Sequence, residues 1–122
     1  MSTNLILLFH IVPSATWFAS TLKKVGQLSS FISIEDIESY YHDRDRNFNN
    51  CCHVCFDDGE ISVYANAFLV LKETNIPAPV FVSPRIVKEG CNYWFQELRH
   101  IRKKLGDGPV KRQISDMLGC NH

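Results

Sequence analysis

The sequence has no excess of charge of one sign and no long apolar run. Its 13 basic and 13 acidic side chains give a formal net charge of zero, which argues against a nucleic-acid binder that works through a general basic field. The apolar run of residues 5–12 contains His10, is far too short for a membrane helix, and follows a start without Lys or Arg, unlike a signal peptide. We therefore expect a cytoplasmic protein without nucleic-acid or membrane partners.

The chain has five cysteines, an odd number. In a chain without a secretory signal, an odd count favours free thiols over a disulfide framework. Cys52 and Cys55 form a C-x-x-C, which suggests a small Cys/His metal-binding module as one alternative. On a strand, however, these two side chains would point to opposite faces. A zinc site would need a second pair of ligands at matching spacing, and none is formed by Cys91, His100, Cys120 and His122. We therefore interpret Cys52 and Cys55 as buried residues that act as small apolar side chains.

Strand and helix patterns alternate along the 122 residues, a length that fits one domain or part of one. Short connections between alternating elements predict parallel strands with right-handed crossovers. Ser83-Pro84 is expected to break the fourth strand, and residues 107–109 to form a turn. The predicted strands are residues 4–12, 31–34, 51–56 and 80–82; the predicted helices are residues 14–26, 34–41, 62–75 and 93–105, with a short last helix at 110–118.

Two adjacent carboxylates, Asp57 and Asp58, follow the third predicted strand and precede Gly59. Neighbouring acidic groups repel one another, and a bound cation or a shared proton compensates this repulsion. The alternative is that both cap the next helix, whose N-terminus favours negative charge. Sites in parallel α/β folds lie at the carboxyl ends of strands. The position of the pair therefore favours a functional role.

Four segments carry a resemblance to a known family. FDDG at residues 56–59 precedes a helix and then NIPAPVFV at 75–82, while LLFHIV stands at 7–12 and YWFQEL at 93–98. In order and spacing these resemble the polysaccharide deacetylase (NodB-homology, carbohydrate esterase family 4) family. The resemblance covers about residues 5–100 and implies the N-terminal half of that family's domain, with residues 1–122 as a single partial domain.

The resemblance implies an α/β fold, the N-terminal part of a distorted (β/α) barrel of the glycoside hydrolase/deacetylase type with about four parallel strands. It implies a metal-dependent hydrolase that removes N-acetyl groups from amino-sugar polysaccharides. Asp57 would be the general base, and Asp58 would bind a divalent metal, usually zinc. Apart from the resemblance, the position of Ser83 just past the fourth strand and the aromatic ring of Trp94 suggest contacts with the carbohydrate substrate. His10, at the end of the first strand, is expected at best to support the groups that carry the chemistry.

The sequence departs from the family in one important respect. The family's two histidine ligands, in an H-x-x-x-H pattern, and its later barrel strands have no counterpart here, and Cys55 stands where the family has Thr. A catalytic zinc needs three protein ligands, so the 122 residues alone are expected to be inactive. The alternative function is a noncatalytic fragment or pseudoenzyme that binds a carbohydrate or a partner chain. Self-association through an exposed sheet edge is also expected.

Overall fold

The computed structural model describes residues 3–42 and 48–118. The chain divides into two compact units, Met1–Val82 and Ser83–His122, which we call the first and the second unit. The first unit contains a parallel sheet with its helices, and the second unit is helical. No helix in the described residues is both long enough and apolar enough to cross a membrane.

The sheet of the first unit is built around one central strand, β3. β1 pairs along one edge of β3 over its whole length, from Leu5 opposite Cys52 to Phe9 opposite Phe56. The other edge of β3 pairs with β2 at its start and with β4 at its end. All three pairings are parallel, which confirms the predicted α/β fold with parallel strands. The strands are β1 (Leu5–Phe9), β2 (Ser30–Phe31), β3 (Cys51–Asp57) and β4 (Val80–Phe81).

One face of β3 carries the hydrophobic core. Its alternate residues Cys52, Val54 and Phe56 are fully buried against Phe18 and Leu22, which come from helix α1 (Ala15–Gly26). The Phe18 and Phe56 rings lie 5.8 Å apart between centroids. Burying side chains of this size stabilises the fold by roughly 2 kcal/mol each.

Two helices of the first unit, α1 and the helix that follows β2, begin at side chains that cap them. Ser14 caps α1, because its Oγ accepts the Trp17 N–H at 3.2 Å. Ser33 and Asp36 bond reciprocally ahead of α2 (Ile34–His42). The strand predicted to reach residue 34 therefore ends at Phe31. After β3, a π-helical segment (Val63–Ala67) leads into α3 (Phe68–Thr74).

The second unit contains three helices, α4 (Pro84–Glu89), α5 (Trp94–Leu105) and α6 (Asp107–Leu118). The sequence reading of Ser83-Pro84 as a simple break was incomplete, since Pro84 is the first residue of α4, where its missing N–H costs nothing. The turn predicted at residues 107–109 is instead the first turn of α6.

Candidate functional site

The carboxyl end of β3 turns sharply through two residues in the left-handed conformation. Asp57 is the last residue of β3, and Asp58 and Gly59 follow with φ of +69° and +60°. The Asp58 N–H donates to the Phe81 carbonyl oxygen at 2.9 Å, which fixes the turn against β4. A Cβ on Gly59 would lie 2.9 Å from Val82 Cγ1, closer than van der Waals contact permits. The turn therefore favours glycine at position 59. It places both carboxylates at the carboxyl end of β3.

His10 lies beside both carboxylates. Its Nε2 is 4.0 Å from Asp57 Oδ2 and 3.9 Å from Asp58 Oδ2. The side chains of His10, Asp57 and Asp58 are 59, 35 and 23% exposed, so water reaches all three. When protonated, the imidazole partly offsets the repulsion between the two carboxylates. The structure thus places His10 next to the acidic pair, and its role in supporting the site stays a prediction.

A second set of polar contacts holds the loop that follows His10. The N–H of Val12 donates to Ser62 Oγ at 2.9 Å, and the Val12 carbonyl accepts from Asn66 Nδ2 at 2.7 Å. Ser62 is fixed in turn, because its N–H and its hydroxyl both donate to the Glu60 carboxylate. We call Glu60, Ser62 and Asn66 the Val12 clamp. It ties the end of β1 to the segment that follows the aspartates.

The Val12 clamp also includes the residue at the start of the π-helical segment. Ser62 occupies its N-cap position, and the Ser62 N–H is bonded by Glu60 at 2.8 Å. Neither Asp57 nor Asp58 serves as that cap, so the capping alternative does not account for the pair. Sequence reasoning missed Glu60 and Ser62 as functional neighbours. Bonds between Ser or Glu side chains and nearby backbone groups occur in many loops. What distinguishes Ser62 is its contact with Val12, 50 positions away in the sequence, and only the structure shows that contact.

Aromatic side chains of β1, α1 and β3 pack against one another within the first unit. Phe9 packs edge-on against Trp17, with centroids 6.0 Å apart, and lies 5.8 Å from Phe56.

The two predicted substrate contacts belong to the second unit. The Ser83 N–H donates to the Tyr93 hydroxyl at 3.0 Å. Trp94 is exposed at the start of α5 and meets Phe95 edge-on. Both remain predictions as substrate-binding residues.

The cysteines of β3 are buried free thiols. Cys52 belongs to the core cluster, whereas Cys55 lies on the opposite face of the strand in the alternation. Burial raises the pKa of the Cys52 thiol. The pKa of the Cys55 thiol is also raised, mainly by burial and to a smaller extent by the negative charge of Asp57. Both thiols are therefore mainly protonated at neutral pH. Cys120 and His122, considered as further ligands, lie outside the described residues.

The donor atoms at the site do not fit a metal ion as they stand. Two ligand atoms of a tetrahedral zinc, each about 2 Å from the metal, lie roughly 3.3 Å apart. The distances from His10 Nε2 to the two carboxylates are longer than this. Within residues 3–42 and 48–118, no group of three His, Cys, Asp or Glu side chains could hold a metal ion. The described residues thus do not form a zinc site by themselves.

Fold and site together define a parallel α/β protein with an acidic pair and a histidine at the carboxyl ends of neighbouring strands. The solved structure of IcaB from Ammonifex degensii resembles the chain with a TM-score of 0.60 and 32% sequence identity. The match covers 67% of this chain and 39% of the IcaB chain, so the chain spans well under half of that protein. The likeness supports a deacetylase-like fold, consistent with part of a (β/α) barrel. Neither the family models nor the curated proteins gave a match.

Proposed function

We propose that the chain is the N-terminal part of a carbohydrate deacetylase of the polysaccharide deacetylase (NodB-homology) family, which removes N-acetyl groups from amino-sugar polysaccharides. The observation that carries the proposal is the meeting of His10, Asp57 and Asp58 at one edge of the sheet. The FDDG motif and the likeness to IcaB support it.

In this proposal Asp57 acts as the general base. Its carboxylate accepts a proton from water while the water oxygen bonds to the amide carbonyl carbon. The C–N bond then breaks, acetate leaves, and the proton passes to the amine of the sugar. Partial exposure of Asp57 gives water and substrate access. His10 lies close enough to orient the Asp57 carboxylate after a small movement of either side chain.

Asp58 is proposed as one ligand of a divalent metal, zinc by the family resemblance, which when bound would polarise the amide carbonyl. The remaining ligands would have to come from outside the described residues, because the described donors do not complete such a site. This requirement favours one alternative function, a noncatalytic fragment or pseudoenzyme that keeps the strand-end signature and binds a carbohydrate or a partner chain.

Self-association is a further proposal that the sheet supports. Within the described residues, β1 pairs with β3 and its other edge is not paired with a strand. Leu5, Ile6 and Leu8 of β1 are exposed, and an exposed apolar edge strand favours pairing with another chain. Sedimentation velocity tests this, and a monodisperse monomer across a hundredfold range of concentration would count against it.

The deciding experiment measures zinc content, binding of N-acetylglucosamine oligosaccharides and acetate release after the C-terminal half of the family's domain has been added, with the chain alone as the reference. Asp58→Asn removes the proposed ligand charge, and Asp57→Asn removes the proposed base. Glu73→Gln is the matched control, since it neutralises an exposed carboxylate on α3. With that half present, the proposal expects zinc to bind and to be lost in Asp58→Asn, and acetate release to be lost in Asp57→Asn with sugar binding kept. None of these is expected to change in Glu73→Gln.

Other outcomes separate the two functions. Sugar binding without zinc or acetate release, unchanged by Asp57→Asn, would support the noncatalytic alternative. Absence of zinc, sugar binding and acetate release with the C-terminal half present would count against both.

A further inference from the structure

The two strands beside the end of β3 place different side chains next to Asp57. On one side, Phe9 of β1 is opposite Phe56, and the next residue, His10, lies 4.0 Å from the Asp57 carboxylate. On the other side, Phe81 of β4 is directly opposite Asp57. Residues opposite each other in a parallel pair direct their side chains to the same face of the sheet. Asp57 therefore has an imidazole on one side and an aromatic ring on the other.

The backbone of Phe81 is held against the acidic pair. Its carbonyl oxygen accepts the Asp58 N–H at 2.9 Å, and the Phe56 N–H donates to the Pro79 carbonyl oxygen at 3.0 Å. These two bonds attach β4 to the end of β3, where both aspartates lie. The position of Phe81 beside the carboxylates is thus set before a substrate binds, which reduces the ordering that binding requires.

The ring of Phe81 is accessible from the side of the sheet that carries the carboxylates. Phe81 is 49% exposed, and the Asp57 side chain beside it is 35% exposed. Exposure alone does not distinguish Phe81, because Val80 is 44% exposed on the same short strand. Val80 is opposite Phe56, however, and so faces the core side of the sheet. Of the two residues of β4, only Phe81 shares a face with Asp57.

The part of the substrate that lies near Phe81 follows from the proposed function, on which this inference rests. A water molecule bonded to the Asp57 carboxylate lies about 3 Å from it, and at the start of attack about 3 Å from the amide carbon. Neighbouring strands are about 4.8 Å apart. Groups bonded to the amide carbon are therefore within reach of the side chains on both sides of Asp57.

Polarity assigns these groups to the two sides. The carbonyl oxygen gains negative charge as water attacks, so it is stabilised on the side of His10, whose ring can donate a hydrogen bond. The methyl group of the acetyl substituent forms no hydrogen bonds. It is stabilised against the apolar ring of Phe81, where contact removes it from water.

We propose that Phe81 determines acyl-group specificity by contacting the methyl group of the N-acetyl substituent. The probes are N-acetylglucosamine oligosaccharides and their N-formyl analogues, which lack only that methyl group. Burial of one such group corresponds to roughly fourfold in affinity. We therefore expect the N-acetyl form to bind roughly fourfold more tightly, and we expect a nuclear Overhauser effect between its methyl protons and the Phe81 ring protons.

Variants separate contact with the methyl group from a general effect on the site. Phe81→Ala should remove the preference for the N-acetyl form and leave binding of the N-formyl form unchanged. Phe81→Leu keeps an apolar side chain and should keep most of the preference. Val80→Ala is the matched control, since Val80 is similarly exposed but faces the core side, and it should keep the full preference. Binding is measured by calorimetry with the C-terminal half of the family's domain present.

The outcomes separate this contact from the proposed function. An unchanged preference in Phe81→Ala would overturn the contact even where acetate is released, and so would no binding of either oligosaccharide. A preference that is lost in Phe81→Ala and kept in Val80→Ala, without acetate release, would support the contact and count against the hydrolysis. When Phe81→Ala does not fold, the nuclear Overhauser effect in the native protein decides, and its absence in the bound complex would overturn the proposal.

Discussion

Gly59 is the residue at which the turn beside the aspartates is most easily disturbed. It has a φ of +60°, and an added Cβ would lie 2.9 Å from Val82 Cγ1. Gly59→Ala therefore imposes two separate costs. One is the left-handed conformation of a residue with a side chain, and the other is a steric conflict with Val82.

The two costs can be estimated from the structure. The left-handed conformation costs an alanine about 1–2 kcal/mol, partly offset by the lower entropy of the unfolded chain. Overpacking costs about 1–3 kcal/mol in a closed core. Val82 is 46% exposed and can move outward, so the lower end of that range applies. We expect Gly59→Ala to lower the free energy of unfolding by about 2 kcal/mol, equivalent to a fall in Tm of roughly 10 °C.

Urea unfolding followed by circular dichroism measures the change, and a second background separates the two costs. In Val82→Ala the contacting methyl group is absent, so Gly59→Ala should cost only about 1 kcal/mol there. Gly90→Ala is a further control, since Gly90 has a φ of +61° and nothing lies within 4 Å of an added Cβ. An equal cost of Gly59→Ala in both backgrounds would refute the steric part of the reasoning. A cost below about 0.5 kcal/mol in both would refute the conformational part as well.

Three other predictions concern separate parts of the chain. Asn66→Ala removes the donor to the loop carbonyl after β1, and urea unfolding should show a loss of about 1–2 kcal/mol; an unchanged midpoint would contradict this. Since the pKa of the buried Cys55 thiol is raised, iodoacetamide at pH 7.5 should modify exposed Cys91 first, and equal rates by mass spectrometry would contradict this. The hydrogen bond and the charge of Arg102 lower the pKa of Asp107. The pair should therefore stabilise α5 and α6 at a pH above the ordinary aspartate pKa, and this effect should be lost as the pH falls through the lowered pKa. An NMR titration should show a higher Asp107 pKa in Arg102→Gln.

Much of the first unit could be predicted because hydrophobic periodicity and helix caps act locally. Residues 51–56 read as a buried strand, and β3 is observed at Cys51–Asp57. The start of α4 was missed because Pro84 both ends a strand and opens a helix, and the sequence does not say which effect applies. The π-helical form of Val63–Ala67 was missed for a different reason. A one-residue change in hydrogen-bond spacing hardly alters the pattern of buried positions.

The candidate site also combines features that the local sequence predicts with contacts that only the fold shows. Parallel pairing brings the carboxyl ends of strands to one edge of the sheet, so a meeting of His10 with Asp57 follows once β1 is known to be the neighbour of β3. The Val12 clamp depends on contacts across about fifty positions of sequence, and no local pattern encodes them. The register of β1 against β3, with Phe9 opposite Phe56, places His10 beside Asp57, and the clamp holds the loop that follows. The residues proposed to carry the chemistry could thus be predicted from the sequence, whereas the long-range contacts of the clamp could be found only from the fold.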